Sequence, residues 1–247
     1  RYLVSICIQI MISDSKQKVF GKNSTKSVDL IGLLVVAMCI LCILFIDYPV
    51  MYFMAKHQDG LVREVFYRLT DAGHGTPYFV IIFFVLIAAS ICKYFDFNYL
   101  EPEKLNKIII ICLFLLAALI VAGVAIHVLK VLFGRWRPDT TIYTGLSGFS
   151  WFNFAHDAKS FPSGHSQLIW TVAVSLLLIY PRLIIIYLVT AILVSLSRVM
   201  LNQHFVSDVL LGAYLGSIVP ILINSYILLP RGLNISLIKK QDKNKVV

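Results

Sequence analysis

Long apolar runs constrain this chain more than any other feature of its sequence. Six stretches stand out: Leu30–Ile46, Tyr78–Cys92, Ile108–Leu129, Gly164–Tyr180, Leu183–Leu196 and Val209–Leu229. A helix spanning a bilayer needs roughly 20 mostly apolar residues. The second and fifth runs are short, so flanking residues must lengthen them. Composition agrees, with 59% hydrophobic and 14% charged residues over 247 and a mean hydropathy of +0.83. Soluble domains hold about 45–50% apolar and about 25% charged residues. Disorder, a coiled coil and a disulfide-stapled secreted domain are excluded. The expected fold is an all-α integral membrane protein, a six transmembrane helix bundle.

The formal charge is +9. In a chain this apolar, a basic excess points to topology and anionic lipid rather than nucleic acid. With six crossings, both termini share one side, which collects 14 of the 22 basic residues, Lys93, Lys104, Lys107 and Arg182 among them. The positive-inside rule puts that side, with both termini, in the cytoplasm. The other side holds Lys56, Arg63, Arg68, Lys130, Arg135, Arg137, Lys159 and Arg198. Asp59–Ala72 has Leu61, Val62, Val65, Phe66 and Leu69 on one helical face, as expected of a helix lying in the outer interface. Gly73, Gly75 and Pro77 then break it. Leu3–Ile12 is too short to span and lacks a small-residue cleavage site. The chain begins at Arg1 rather than Met, so its true start is expected to be missing, and the run reads as an interfacial helix or a cloning remnant. Cys7, Cys39, Cys42, Cys92 and Cys112 form no disulfide framework, and the last four read as small hydrophobes in apolar runs.

Polar residues that do not belong in a membrane cluster at four places that alternating crossings bring to one face. These are Lys130 with Arg137-Pro138, then Pro162-Ser163-Gly164-His165, then Ser197-Arg198, and His204 with Asp208. Ionisable groups at membrane depth are costly and mark function. Lys130 and Arg137 lie two helical turns apart and face one point if the helix persists. Arg198 adds a third cation, and arginine's planar fork suits phosphate oxygens. Pro162-Ser163-Gly164 opens the fourth run, where backbone N–H groups can meet the same anion. His204 and Asp208 are spaced i, i+4, so the carboxylate can hold one ring nitrogen and leave the other free to attack. His165 remains as a second imidazole, suited to protonating a leaving oxygen. With cations dominating the rim and carboxylates sparse, a metal dication would be repelled. No metal or cofactor is expected, and EDTA should leave activity intact.

Lys130-x6-Arg137-Pro138, Pro162-Ser163-Gly164-His165 and Ser197-Arg198-x5-His204-x3-Asp208 together resemble the three-part signature of the type-2 phosphatidic acid phosphatase superfamily. Leu69-Thr70-Asp71-Ala72-Gly73 is similar to that family's stretch before the second crossing. The resemblance implies a metal-independent phosphatase with a phosphohistidine intermediate. By motif position His204 is the nucleophile, Asp208 its orienting partner and His165 the general acid. Lys130, Arg137, Ser163, Gly164 and Arg198 would bind the phosphoryl oxygens. A neutral His204 working with a protonated His165 predicts a bell-shaped pH–rate profile.

A pocket at the membrane boundary favours a phosphorylated membrane lipid as substrate. The compact chain resembles bacterial lipid A phosphatases of this superfamily, particularly those acting at the 1-position. Undecaprenyl diphosphate and phosphatidylglycerol phosphate are the alternatives. Lys56, Arg63, Arg68, Arg135 and Lys159 could serve a second anionic group or simply be solvated. His127 reads as a packing residue or a support for Lys130, and His156 and Asp157 as a solvated loop. Trp136, Phe149, Trp151, Phe152 and Phe154 read as an outer aromatic belt. Two rivals use similar residues. One is a vanadate-binding haloperoxidase, disfavoured by six apolar crossings; the other is a non-catalytic lipid-binding membrane protein. The implied organisation is an N-terminal cytoplasmic or interfacial segment 1–27, a six-helix membrane phosphatase domain 28–230 and a cytoplasmic basic tail 231–247. The implied setting is the bacterial inner membrane, with the site facing the periplasm.

Overall fold

A computed structural model describes residues 22–57, 60–97 and 100–237. Most of the N-terminal segment 1–27 and the end of the basic tail lie outside the described residues. Nine α-helices occur among the described residues. In chain order they are α1 (Lys22–Leu41), α2 (Asp47–Lys56), α3 (Leu61–Thr70), α4 (Gly75–Tyr94), α5 (Pro102–Phe133), α6 (Pro138–Thr144), α7 (Gly164–Ile179), α8 (Ile184–Met200) and α9 (Val206–Ile223). A single π turn, Cys42–Ile46, joins α1 to α2 into one long rod.

Each apolar run of the sequence forms a helix, and among the described residues five helical stretches are long and apolar enough to cross a membrane. They are Leu30–Lys56, Arg63–Tyr94, Pro102–Phe133, Pro181–Met200 and Val206–Arg231. The two short runs are extended by their flanks, as expected. The fourth run departs from expectation: α7 has only 16 residues. At 1.5 Å rise per residue it is about 24 Å long, less than a hydrocarbon core of about 30 Å.

α7 is also the most enclosed helix. It packs against α9, α8 and α5 and buries Ile169, Ala173, Val174, Leu177 and Ile179. Polar Ser166, Gln167, Thr171 and Ser175 are buried on it as well. Its contact with α9 is close because Gly212 and Gly216 face it. A Cβ at Gly212 would lie 2.5 Å from the Ser163 carbonyl oxygen, and one at Gly216 would lie 2.2 Å from that of Gln167. Small residues four apart let helix backbones approach this way. One apolar cluster joins Phe114, Ala118 and Ala122 of α5 to Ile179, Val219 and Ile223. A second joins Ile169 and Ala173 to Ala191 and Val194 of α8. Outward-facing Leu33, Leu44, Phe84 and Ile185 remain exposed, as expected where lipid rather than water is the solvent.

The amphipathic stretch forms α3 followed by a turn at Asp71–Gly73. α3 lies against α8 and leaves Leu61 and Val65 exposed.

Candidate active site

α5 ends at Gly134, whose φ of 55° is left-handed. A Cβ there would sit 1.8 Å from the Ser150 carbonyl oxygen, so no larger residue fits. The helix therefore does not persist to Arg137, contrary to the two-turn argument. Lys130 lies in its last turn, whereas Arg137 stands on extended backbone before α6. The loop returning from α6 folds along this end: Ser150 N–H donates to the Gly134 carbonyl and Ser160 N–H to that of Arg135, both at 2.9 Å. Lys130 Nζ donates to the Lys159 carbonyl at 2.6 Å. Arg137 Nη1 donates to Gln203 Oε1 at 3.2 Å, and Gln203 Nε2 donates in turn to Asp139 Oδ2 at 3.2 Å.

His204 and Asp208 come together, though not on one helical face. His204 precedes α9, while Asp208 sits in the helix's first turn and caps it, accepting from Phe205 N–H at 2.9 Å. Aspartate is favoured there because it satisfies a free amide and meets the positive end of the helix dipole. Asp208 Oδ2 lies 3.5 Å from His204 Nδ1. Ser160 Oγ donates to the same oxygen at 2.5 Å and is itself 3.5 Å from His204 Nδ1. Burial pushes the His204 pKa down to about 3, against the opposing pull of Asp208.

Arg135 fits neither sequence-based reading, second-anion contact or solvated charge. It is 2% exposed. Its Nη1 donates to Asp208 Oδ1 at 2.6 Å and to Ser207 Oγ at 2.7 Å, and its Nη2 to Asp47 Oδ2 at 2.8 Å. The guanidinium lies 4.0 Å from the Phe205 ring centroid and also faces Phe149 and Phe161. Burial opposes its charge, but the Asp208 and Asp47 carboxylates outweigh this and raise its pKa above the ordinary value. Asp47 and Ser160 went unnoticed in the sequence. Asp47 closes an apolar run, where a lone carboxylate is a readable signal; Ser160 offered none.

Arg198 donates from Nη1 to Thr70 Oγ1 at 2.6 Å, so the last residue of α3 holds it. The turn that follows packs on His165: a Cβ at Gly73 would lie 2.6 Å from His165 Cδ2, and the His74 ring centroid is 4.9 Å away. Ser163 N–H donates to the Asp208 carbonyl at 2.9 Å. Gly164 opens α7, and a Cβ on it would meet Lys130 Cε at 3.8 Å. Five buried side-chain polar atoms have no hydrogen-bond partner among the described residues. Four of them belong to the motifs: Arg137 Nε, Ser163 Oγ, His165 Nε2 and Arg198 Nε. An unpaired buried polar atom costs about 1–3 kcal/mol, so four gathered at one rim fit an anionic ligand that would satisfy them.

Residues the sequence set aside stay apart. His127 is exposed and its Nδ1 pairs with the Gly123 carbonyl of its own helix. His156 and Asp157 have side chains 81% and 63% exposed, as expected of a solvated loop. Arg68 is exposed and paired with Glu64. Trp151, Phe152 and Phe154 are exposed, while Phe149 packs between Phe133 and Phe161.

Residues 111–229 match the model of the PAP2 superfamily. A lipid A 1-phosphatase of Rhizobium etli is 32% identical over 103 residues, 42% of this chain and 44% of that protein. An undecaprenyl-diphosphatase of Sulfolobus acidocaldarius is 46% identical over 59 residues, 24% of this chain and 29% of that one. The chain thus aligns with less than half the length of these curated relatives. The crystal structure of a transmembrane PAP2-type phosphatidylglycerolphosphate phosphatase from Bacillus subtilis superposes with a TM-score of 0.54 at 26% identity, covering 80% of this chain and 92% of that one. Lys130, Arg137, Ser163, His165, Arg198, His204 and Asp208 all fall inside the matched residues, so the stretch that carries the motifs is similar to the PAP2 superfamily.

Proposed function

We propose that this protein is an integral membrane lipid phosphatase working through a phosphohistidine intermediate. The observation that carries this reading is the set of unpaired buried atoms on Arg137, Ser163, His165 and Arg198, gathered beside His204. In the first step His204 Nε2 attacks phosphorus and the bond to the leaving oxygen breaks. Burial, with the Arg198 charge beside it, lowers the His165 pKa to about 3, so His165 passes on a proton it takes up as the anionic phosphate binds, and the leaving oxygen receives it. In the second step water attacks the phosphohistidine, His165 accepts its proton, and inorganic phosphate leaves with His204 restored. Lys130, Arg137 and Arg198, with the Ser163 hydroxyl and the Gly164 amide, hold the phosphoryl oxygens and stabilise their charge in the transition state.

The favoured substrate is lipid A carrying a 1-phosphate, supported by the Rhizobium relative. Undecaprenyl diphosphate or phosphatidylglycerol phosphate is the second reading, supported by the Sulfolobus and Bacillus relatives. The favoured setting is the bacterial inner membrane, with the termini cytoplasmic and the pocket in the periplasmic leaflet.

Purified protein assayed in EDTA against a panel of these lipids should release phosphate, and most from lipid A. His204→Ala should lose at least about a hundredfold in turnover, the scale of removing a group that acts directly on the reacting atoms. Release from another lipid alone overturns the lipid A assignment. Wild-type turnover by His204→Ala overturns the mechanism.

A further inference from the structure

Asp208 has four contacts to divide between two oxygens. Oδ2 receives Ser160 Oγ at 2.5 Å and Phe205 N–H at 2.9 Å, and lies 3.5 Å from His204 Nδ1. Oδ1 is held by Arg135 Nη1 at 2.6 Å. That contact fixes which oxygen turns toward the histidine. Arg135 is itself fixed from the far side by Asp47, and three aromatic rings close around the guanidinium. Asp47 reaches the same point twice more, accepting from the Ser207 amide at 3.1 Å and from the Ser207 hydroxyl at 2.5 Å. A carboxylate of the first apolar span thus ties down the start of α9. The π turn at Cys42–Ile46 comes immediately before Asp47. Its extra residue rotates the following helix face, and Asp47 is buried while Leu44, Phe45 and Ile46 face outward.

We propose that Arg135, tethered by Asp47, is a positioning residue that aims the Asp208 carboxylate at His204. The proposal rests on the reading of His204 as nucleophile. Arginine's rigid fork can hold two carboxylates and a hydroxyl in one plane, which a lysine ammonium cannot. Asp47→Asn keeps the size and one acceptor but removes the charge that holds the fork.

The test uses the full chain in phosphatidylcholine vesicles, with a phosphorylated lipid that the wild type cleaves. Asp47→Asn should lower kcat about ten- to hundredfold, the range for a group orienting a functional ligand. KM should stay within about twofold, because an aiming role acts in the transition state. Arg135→Lys should retain more turnover than Arg135→Met, and inhibition by vanadate should be unchanged. A folded Asp47→Asn with wild-type kcat, or with its loss entirely in KM, overturns the proposal. A readout independent of turnover is carbethoxylation of His204 by diethyl pyrocarbonate, followed by mass spectrometry. The rate should fall severalfold in Asp47→Asn; an equal or faster rate overturns the proposal. If the wild type cleaves no lipid, the phosphatase reading fails, and the carbethoxylation rates still decide the positioning role.

Discussion

His204 is neutral for a reason that also makes it a liability. Enclosure lowers its pKa from 6.5 to about 3, which keeps a lone pair available far into acid. An unfolded chain would take up a proton near pH 6.5 that the folded chain refuses until about pH 3. Across that window the unfolded state binds more protons, so stability rises with pH and is lost on acidification. The thermal midpoint should therefore fall from pH 6.5 toward pH 4, and His204→Gln should flatten that slope. A slope unchanged by the substitution would remove His204 as its source. In kinetics, the acid limb assigned to His204 should lie well below the ordinary histidine range. The residues around it differ in how far the sequence disclosed them. Lys130, Arg137, His165, Arg198, His204 and Asp208 were legible because alternation of apolar runs leaves their polar ends on one face. Arg135 was not: a basic residue two places from Arg137 looks like another rim charge, and only tertiary contact with Asp47 and Asp208 reveals a buried clamp.

Helix boundaries explain the errors of register at the level of elements. The six apolar runs are all helical, but composition alone could not show that α7 is the short one or that Gly134 stops α5 before Arg137. The Gly212-x3-Gly216 spacing was legible as a close helix contact and went unused. It matters because Gly212 faces the Ser163 carbonyl, while the Ser163 amide holds the Asp208 carbonyl at 2.9 Å. Gly212→Ala should push α9 away from α7 at the point where both motifs meet. Overpacking of this kind costs about 1–3 kcal/mol, so a lower thermal midpoint and reduced turnover should appear together. Gly123 on α5 has open space where a Cβ would go, and Gly123→Ala should leave both measurements intact. Equal behaviour of the two variants would argue against the tight α7–α9 contact as the element that sets the site.

Across the whole molecule, the motif residues and the segment that follows α9 lie at opposite ends of the bundle. Lys130, Arg137, Arg198 and His204 gather at one end. At the other, Lys107 Nζ donates to the Ser236 carbonyl at 2.5 Å, and Leu237 N–H donates to the Ile179 carbonyl at 2.8 Å. The chain after α9 therefore closes on the end of α7 remote from the motifs. Arg182, in the turn between α7 and α8, is exposed at that same remote end. Tyr143, on α6 at the motif end, is 86% exposed. If the basic residues that the sequence assigns to the side of the termini set orientation, Arg182 faces the cytoplasm and Tyr143 the opposite side. In a cysteine-depleted background, Tyr143→Cys should react with a membrane-impermeant maleimide added to cells whose outer barrier has been permeabilised. Arg182→Cys should react only after the inner membrane is opened. The reverse pattern would put the pocket in the cytoplasmic leaflet and require a substrate whose phosphate lies there. Under that expectation, the leaflet whose lipids reach His204 follows from the basic residues of the terminal side, none of which touches substrate.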